Sequence, residues 1–208
     1  MVEQHIAKRG VRDERVLDAM RTVPRERFIS PELTGQAYAD GPLPIGAGQT
    51  ISQPYVVALM AAAAELTPDD RVLEIGTGSG YGAAVLGRLA AEVVTVERRH
   101  DLASDAGRRL RDLGYTNIRV ERGDGTLGWL ESAPYDAIVV TAGGPVVPDA
   151  LRTQLADGGR LVIPVGPDRN SQSLIRERRD GDIFRVDHLG LVRFVPLVGE
   201  QGWAGPED

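Results

Sequence analysis

Short apolar runs rich in β-branched residues alternate with amphipathic stretches through the middle of the chain. RVLEI (71–75) and EVVTVE (92–97) predict buried strands, and YGAAVLGRLAA (81–91) predicts the helix between them. The alternation continues with a predicted helix at 100–113, strands in NIRVERGD (117–124), YDAIVVTA (135–142) and RLVIPVG (160–166), and a helix in PDALRTQLA (148–156). Such alternation is typical of parallel βαβ units. We therefore predict an α/β fold, a doubly wound, mostly parallel Rossmann-like sheet with helices on both faces.

The N-terminal part of the chain has a less regular pattern. DERVLDAMRTV (13–23) predicts a helix that Asp13 caps and Pro24 ends, and PYVVALMAAAAEL (54–66) predicts a second helix. Residues 24–50 lie between them and are rich in Pro and Gly, without periodicity. Irregular segments of that length in a compact protein are often functional, so we expect this one to contribute to a site.

The C-terminal part predicts antiparallel strands. SLIRERR (173–179) and DIFRVDHL (182–189) flank Asp180 and Gly181, a pair typical of tight hairpin turns. LVRFVPLV (191–198) predicts one further strand. We therefore expect the sheet to end in antiparallel C-terminal edge strands. No repeat or clear boundary divides the 208 residues, which predicts a single domain.

Composition narrows the range of partners. The 24 basic and 30 acidic residues give a net charge of −6, which argues against a nucleic-acid-binding surface. The chain has 0 Cys and its 3 His are scattered, so no metal site is expected. It also lacks an apolar run of about 18 residues, and we expect a cytoplasmic protein without a membrane partner. The acidic charge and the lack of an obvious apolar patch favour a monomer.

The segment VLEIGTGSGYGA (72–83) combines a strand, a glycine turn and the start of a helix. Glycines here let the backbone turn tightly and approach a ligand beside the free N–H groups of the helix. A dinucleotide requires G-x-G-x-x-G/A, which GSGYGA fits formally. However, the first turn glycine is Gly76, and Tyr81 then occupies the place of the third glycine. Glu74 suits the ammonium and sulfonium groups of S-adenosyl-L-methionine better than a pyrophosphate.

Acidic residues lie near the ends of three consecutive predicted strands. Glu74, Glu97 and Asp124 all fall at carboxyl ends, where open α/β sheets bind their ligands. Glu97 can accept hydrogen bonds from the ribose hydroxyls of either class of nucleotide cofactor, and Asp124 can accept one from an adenine amino group. Gly123 and Gly125 permit an unusual turn around Asp124. We therefore predict that the three acids share one ligand.

With these residues identified, the sequence resembles the protein-L-isoaspartate O-methyltransferases, a branch of the S-adenosylmethionine-dependent methyltransferases. The stretches that carry the resemblance span nearly the whole chain: VPRERFI (23–29), LPIGAGQTISQPYVVA (43–58), VLEIGTGSGY (72–81), GDG (123–125), YDAIVVTA (135–142), GGRLVIPVG (158–166) and VRFVPL (192–197). The resemblance implies methyl transfer from S-adenosyl-L-methionine, leaving S-adenosyl-L-homocysteine. The implied acceptor is the free α-carboxylate of L-isoaspartyl residues in damaged proteins and peptides, which are then repaired through a succinimide.

The resemblance also implies site residues and a division of the chain. Its cofactor contacts correspond to Thr50, Ile51, Glu74, Gly76, Gly78, Gly80, Glu97, Asp124 and Gly125, and its substrate contacts to Ser52, Gln53, Pro54, Val195 and Pro196. A single methyltransferase domain would contain the N-terminal helix and substrate loop (1–53), a cofactor-binding α/β core (54–166), and a C-terminal hairpin with a substrate-side strand (167–208).

Ser52 is the predicted catalytic residue, as a hydrogen-bond donor that orients the substrate. A carboxylate with a pKa of about 4 is ionised at neutral pH, so its methylation needs neither a general base nor a covalent intermediate. In-line positioning and exclusion of water are the useful contributions. Alternatively, Ser52 or Thr50 caps the helix that begins near Pro54. Tyr55 and Phe194 are candidates for lining a peptide groove, with core packing as the default.

Three other functions remain open from the sequence. A related methyltransferase would esterify a specific aspartate in a biosynthetic peptide. An NAD-dependent oxidoreductase is disfavoured by Glu74, by the position of Gly76 and by the absence of a Tyr-x-x-x-Lys pattern. A non-catalytic binding module on the same fold is disfavoured by the intact acids at all three strand ends.

Overall fold

Most of the predicted elements occur in residues 1–205, the part of the chain that the computed structural model describes. The strands are β1 Leu43–Gly46, β2 Gln49–Ile51, β3 Arg71–Ile75, β4 Glu92–Glu97, β5 Ile118–Arg122, β6 Tyr135–Val140, β7 Leu155–Val165, β8 Gln172–Asp180 and β9 Ile183–Val192. The α-helices are α1 Glu14–Thr22, α2 Pro54–Ala63, α3 Tyr81–Leu86, α4 His100–Asp112 and α5 Asp149–Gln154. Short 3₁₀ helices precede β1 at Arg25–Phe28 and Pro31–Gln36.

Seven strands form one sheet in the order β5-β4-β3-β6-β7-β8-β9. The first five of these are parallel neighbours, and β8 and β9 add antiparallel strands at one edge, which confirms the predicted fold class. The chain runs from β3 to one edge through β4 and β5, and then returns to the other side of β3 as β6. The carboxyl ends of β3 and β6 therefore form a topological switch point, where open α/β sheets bind ligands.

Helices cover both faces of the sheet because successive strand side chains point to opposite sides. Val72 and Val162 belong to a buried cluster that includes residues of α1, α2 and α3. Leu73 and Ile138 belong to a second buried cluster that includes Leu151 of α5. This alternation is the period of two expected for strands that are buried on both faces.

The largest difference from the prediction concerns LVRFVPLV. It does not add a strand: Leu191 and Val192 complete β9, and residues 193–205 form only isolated bridges, such as Pro196 with Gly143. Proline has no backbone N–H to donate, so it interrupts a regular ladder. The helix predicted at 81–91 is also shorter and ends at Leu86, before a glycine that disfavours continuation.

The segment 24–50, which was predicted to be irregular, contains a small sheet of its own. β1 and β2 form an antiparallel pair that is separate from the seven-stranded sheet. The turn between them uses Gly46, Ala47 and Gly48 at φ values of 90°, 51° and 69°. Glycine takes positive φ without steric cost, which explains two of the three turn residues.

Candidate active site

A cavity of about 250 Å³ opens at the carboxyl ends of β3, β4 and β6. It is lined by residues 76–79 of the glycine loop (residues 76–80), by the hairpin residues 49–52 and by the C-terminal residues 195–198. Glu74 and Glu97 line it from β3 and β4. The switch point therefore brings together predicted residues from three distant parts of the sequence.

The glycine loop owes its shape to left-handed backbone conformations. Gly76, Gly78 and Gly80 have φ values of +96°, +53° and +91°. A side chain at Gly76 would overlap the hydroxyl of Thr141, which donates a hydrogen bond of 2.7 Å to the carbonyl oxygen of Gly76. Gly76 and Gly78 line the cavity, as the predicted cofactor contacts require. Gly80 does not line it and instead caps α3 and packs against α4.

Glu74 provides a buried carboxyl group in the cavity wall and is 1% exposed. The Thr95 hydroxyl donates to its Oε2 at 2.5 Å and lies 2.7 Å from the hydroxyl of Thr77 in the glycine loop. Burial raises the pKa of Glu74 to about 8; the hydrogen bond from Thr95 opposes the rise, and the charge of Glu97 adds to it. A cationic group in the cavity would favour the charged carboxylate again. The site is therefore suited to an ammonium-bearing ligand.

Glu97 joins the glycine loop to the start of α4. Its Oε2 accepts the N–H of Gly78 and its Oε1 accepts the N–H of Arg99, each at 3.0 Å. A carboxylate has about four lone-pair sites, so each oxygen retains capacity to accept another hydrogen bond. Because Glu97 also lines the cavity, this geometry is compatible with a ribose contact, which stays a prediction.

The carboxylate of Asp124 does not line the cavity and accepts hydrogen bonds from other parts of the chain. Its Oδ1 accepts from the backbone N–H and the hydroxyl of Thr126, at 2.9 and 2.7 Å, and its Oδ2 accepts from the N–H of Glu200 at 2.7 Å. Gly199 allows this approach, since a side chain there would overlap the carboxylate. Gly125 lines the cavity but Asp124 does not. The predicted adenine acceptor thus anchors the C-terminal segment in this structure.

Thr50, Ile51 and Ser52 of the hairpin line the cavity. Their roles in cofactor binding and catalysis stay predictions. The alternative that Ser52 or Thr50 caps α2 is wrong, because Gln53 is the N-cap and makes no side-chain capping bond. Gln53 and Pro54 are not part of the cavity wall: the side chain of Gln53 donates to a loop carbonyl, and Pro54 is buried in the first turn of α2. The substrate contacts predicted for these two residues have no counterpart in the wall.

Val195 and Pro196, for which substrate contacts are predicted, complete the wall on the C-terminal side. Gly143, which follows β6, holds this segment: its N–H donates to the carbonyl oxygen of Val195, and its own carbonyl accepts the N–H of the residue after Pro196, both at 2.8 Å. Tyr55 and Phe194 pack against the main buried cluster, so core packing is confirmed for both.

Sequence reasoning missed several residues of the wall. Thr141 follows β6 at the switch point, and the strand-end rule that identified the acids would have found it. Arg98 and Arg99 follow β4 and also line the cavity. Arg169 lies in the loop after β7, with its guanidinium 5.4 Å from the ring centroid of Trp203. No sequence signal pairs these last two residues.

Residues 1–205 contain neither a candidate metal site nor a candidate membrane-spanning helix. Nowhere in that range do three or more His, Cys, Asp or Glu side chains group closely enough to hold a metal ion. In the same range, no helix combines the length and the apolar character needed to span a bilayer.

A glycine loop and two carboxylates at the switch point of a mostly parallel sheet define a Rossmann-like protein with a site for a nucleotide-type cofactor. The family model of protein-L-isoaspartate(D-aspartate) O-methyltransferase matches residues 1–202. The chain therefore belongs to this methyltransferase family, which confirms the resemblance found in the sequence.

Individual relatives agree with this assignment. The chain is 58% identical over 204 residues to the protein-L-isoaspartate O-methyltransferase of Protochlamydia amoebophila (strain UWE25), covering 98% of this chain and 97% of that one. A solved protein-L-isoaspartate O-methyltransferase is similar with a TM-score of 0.86 and 33% identity, covering 97% of this chain and 67% of the other. A structure from Plasmodium falciparum, described as a protein-L-isoaspartate O-methyltransferase in complex with S-adenosyl-L-homocysteine, is similar with a TM-score of 0.79 and 26% identity, covering 93% and 95%.

Proposed function

We propose that this chain transfers the methyl group of S-adenosyl-L-methionine to the free α-carboxylate of L-isoaspartyl residues in damaged proteins and peptides. The observation that carries the proposal is the family match over residues 1–202. The product would be S-adenosyl-L-homocysteine, the ligand of the Plasmodium falciparum relative. Esterification would start repair, because the ester closes to a succinimide that partly reopens to normal aspartate.

The residues of the cavity fit this cofactor. Glu74 offers a carboxyl group to an ammonium, Glu97 offers acceptors to ribose hydroxyls, and Gly76 and Gly78 leave room beside the backbone. A pyrophosphate would face both carboxylates, which disfavours a dinucleotide. We assign cofactor binding to these four residues together with Thr50, Ile51 and Gly125. When bound, the cofactor supplies an electrophilic methyl group on a sulfonium.

The task of the chain is to orient an oxygen that is already nucleophilic. The substrate carboxylate is ionised at neutral pH, so no residue has to remove a proton from it. Ser52 donates a hydrogen bond to this carboxylate from the cavity wall. Backbone groups of residues 43–53 and 192–197 bind the peptide in extended form, which suits damage in many sequence contexts. Correct orientation of reacting groups can lower a barrier by about 7–11 kcal/mol.

Radiolabelled methyl transfer to an isoaspartyl peptide and to its aspartyl twin tests the proposal. Transfer to the isoaspartyl peptide alone is the expected result. Transfer to the aspartyl peptide alone would instead indicate an enzyme that esterifies aspartate. Cofactor binding without transfer to either peptide would indicate a binding module and would refute the proposal.

We also propose that the chain works as a monomeric, single-domain cytoplasmic enzyme without nucleic-acid or membrane partners. The net charge of −6 supports the lack of a nucleic-acid partner. Light scattering coupled to size exclusion, with and without an isoaspartyl peptide, tests the monomer. A mass near twice 22.4 kDa would contradict it.

A further inference from the structure

We propose that Arg25 is a positioning residue that fixes the substrate hairpin, defined as residues 43–53, against the glycine loop. The inference rests on the proposed function, because the hairpin carries Ser52. It starts from a buried charge that has no ionic partner among the residues that the structure describes. Arg25 is 0% exposed, and its Nη1 has no hydrogen-bond partner within residues 1–205.

The partners of the Arg25 guanidinium are carbonyl oxygens rather than a carboxylate. Nε donates to the carbonyl oxygen of Ala37 at 2.8 Å, and Nη2 donates to that of Gly41 at 3.4 Å. Burial lowers the pKa of Arg25, which reflects the cost of removing the charge from water. An apolar side chain of similar size would avoid this cost. Stability alone therefore does not explain an arginine at this position. The groups that the guanidinium holds in place offer an explanation.

Arg25 contacts both halves of the candidate active site. Ala37 and Gly41 lie in the segment 37–41, which leads directly into β1 of the substrate hairpin. On its other side, the guanidinium carbon lies 5.0 Å from the ring centroid of Tyr81, within the range of a cation–π interaction. Tyr81 is the first residue of α3, follows the glycine loop and lines the cavity. One side chain thus connects the start of the hairpin to the end of the loop.

The far end of the substrate hairpin is tied to the same segment. Gln53, next to Ser52, donates from Nε2 to the carbonyl oxygen of Asp40 at 3.3 Å. The carboxylate of Asp40 pairs with Arg9 at 3.1 Å. Both ends of the hairpin therefore depend on the position of residues 37–41, which Arg25 holds from within.

The substrate hairpin needs such a support because it is not part of the main sheet. β1 and β2 form an isolated two-stranded sheet, and isolated hairpins are at best marginally stable. Its tip meets the glycine loop through Ile45, whose Cδ1 would lie 3.3 Å from a Cβ at Gly78. Side-chain contacts, not a strand ladder, therefore set the distance between Ser52 and the cofactor site. A displacement of about 1 Å can cost about a hundredfold in rate.

The test compares Arg25→Lys with Arg160→Lys as a matched control. Lysine keeps the charge but loses the planar fork and the stacking on Tyr81. Arg160 is also largely enclosed, with 12% of its side chain exposed, and donates to the carbonyl oxygens of Ala64 and Glu65. Unlike Arg25 it also pairs with a carboxylate, that of Asp70, and neither Arg160 nor these partners line the cavity. We expect Arg25→Lys to lower kcat for an isoaspartyl peptide by about tenfold or more, with the Kd for S-adenosyl-L-homocysteine within about twofold of wild type. Arg160→Lys is expected to lower the unfolding midpoint while leaving kcat within about twofold.

Hydrogen exchange provides a readout that does not depend on the reaction. Arg25→Lys is expected to speed amide exchange in residues 43–53, and Arg160→Lys is not. If the wild-type protein shows a protected hairpin but no methyl transfer, the proposed function is refuted. The hydrogen-exchange comparison of the two variants then decides by itself whether Arg25 positions the hairpin. Unchanged hairpin exchange and kcat in Arg25→Lys, or parallel losses of kcat and cofactor affinity, would overturn the positioning role. If Arg25→Lys does not fold, Gln53→Met, which removes the link to Asp40, must speed the same exchange or the proposal fails.

Discussion

Cofactor binding is expected to release a proton from Glu74. Its raised pKa of about 8 leaves the carboxyl about one tenth ionised at pH 7 in the free protein. A cofactor ammonium beside the carboxyl would lower its pKa by about 2 pH units, within the range seen for close opposite charges. At a bound pKa of about 6, the group would be about nine tenths ionised at pH 7. The expected release is therefore about 0.8 proton per molecule bound.

Titration calorimetry measures this proton directly. S-adenosyl-L-homocysteine is titrated into the protein at pH 7 in buffers of different ionisation enthalpy, and the slope of the apparent enthalpy gives the number of protons released. Glu74→Gln is the control, because glutamine keeps an acceptor for the Thr95 hydroxyl but cannot ionise. The slope should fall by about 0.8 in the variant. Equal slopes in both proteins would refute the assignment of the ammonium to Glu74.

The same pKa predicts a sign for the pH dependence of stability without ligand. The folded pKa of Glu74 is raised from 4.5 to about 8, so the folded state holds the proton more tightly than the unfolded state. Its contribution is fully present below pH 4.5 and is lost as the pH rises to about 8, by up to about 5 kcal/mol. Glu74→Gln should therefore become more stable than wild type as the pH rises through this window. The free energies of unfolding of both proteins are measured with denaturant from pH 5 to pH 8.5. A difference between them that does not change with pH would contradict the raised pKa.

Three further substitutions separate the roles of individual side chains. Ser52→Ala should lower kcat for an isoaspartyl peptide by about 10- to 100-fold, the value of one hydrogen bond to a charged group, while the Kd for S-adenosyl-L-homocysteine stays constant; equal losses of both would exclude the orienting role. Asp124→Ala removes the acceptor for the N–H of Glu200, so amide hydrogen exchange in residues 199–203 should become faster, and the cofactor should dissociate faster too. Unchanged exchange would contradict the role of Asp124 as the anchor of the C-terminal segment. Glu177→Ala removes the buried carboxylate 2.6 Å from the guanidinium of Arg152, which stays partly exposed and paired with Asp149, and should cost about 1–3 kcal/mol of unfolding free energy with kcat retained; a fall in kcat at a temperature where the variant is folded would show that this remote pair also acts on the site.

The sheet was predictable from the sequence because its strands are buried on both faces. A strand such as EVVTVE has to be apolar throughout, and β4 spans the same residues, Glu92–Glu97, that the pattern predicts. The C-terminal segment gave a weaker signal because its apolar residues serve other purposes. Val195 and Pro196 face the cavity, and they are held by Gly143 rather than by a neighbouring strand.

The site residues also differ in how well the sequence predicts them: residues at strand ends could be placed, and contacts with the C-terminal segment could not. Glu74 and Glu97 could be placed because a position at the carboxyl end of a parallel strand settles where a side chain goes. Asp124 satisfies the same rule, yet its carboxylate is taken by Glu200, 76 residues further on. No local pattern contains that information, because the contact depends on how the C-terminal segment crosses the sheet. A strand-end position predicts the neighbourhood of a side chain but not its hydrogen-bond partner.

The two sides of the cavity are therefore built by different means. The cofactor side rests on β3, β4 and β6, whose ladders fix the backbone, and Thr141 ties the loop to the next strand. The substrate side rests on the isolated β1–β2 pair, positioned by Arg25 and a few other side chains. Substitutions on the cofactor side should therefore change affinity and stability together, whereas those around residues 37–41 should change turnover first. This asymmetry suits an enzyme that binds one invariant cofactor and peptides of many sequences, because only the substrate side has to adapt.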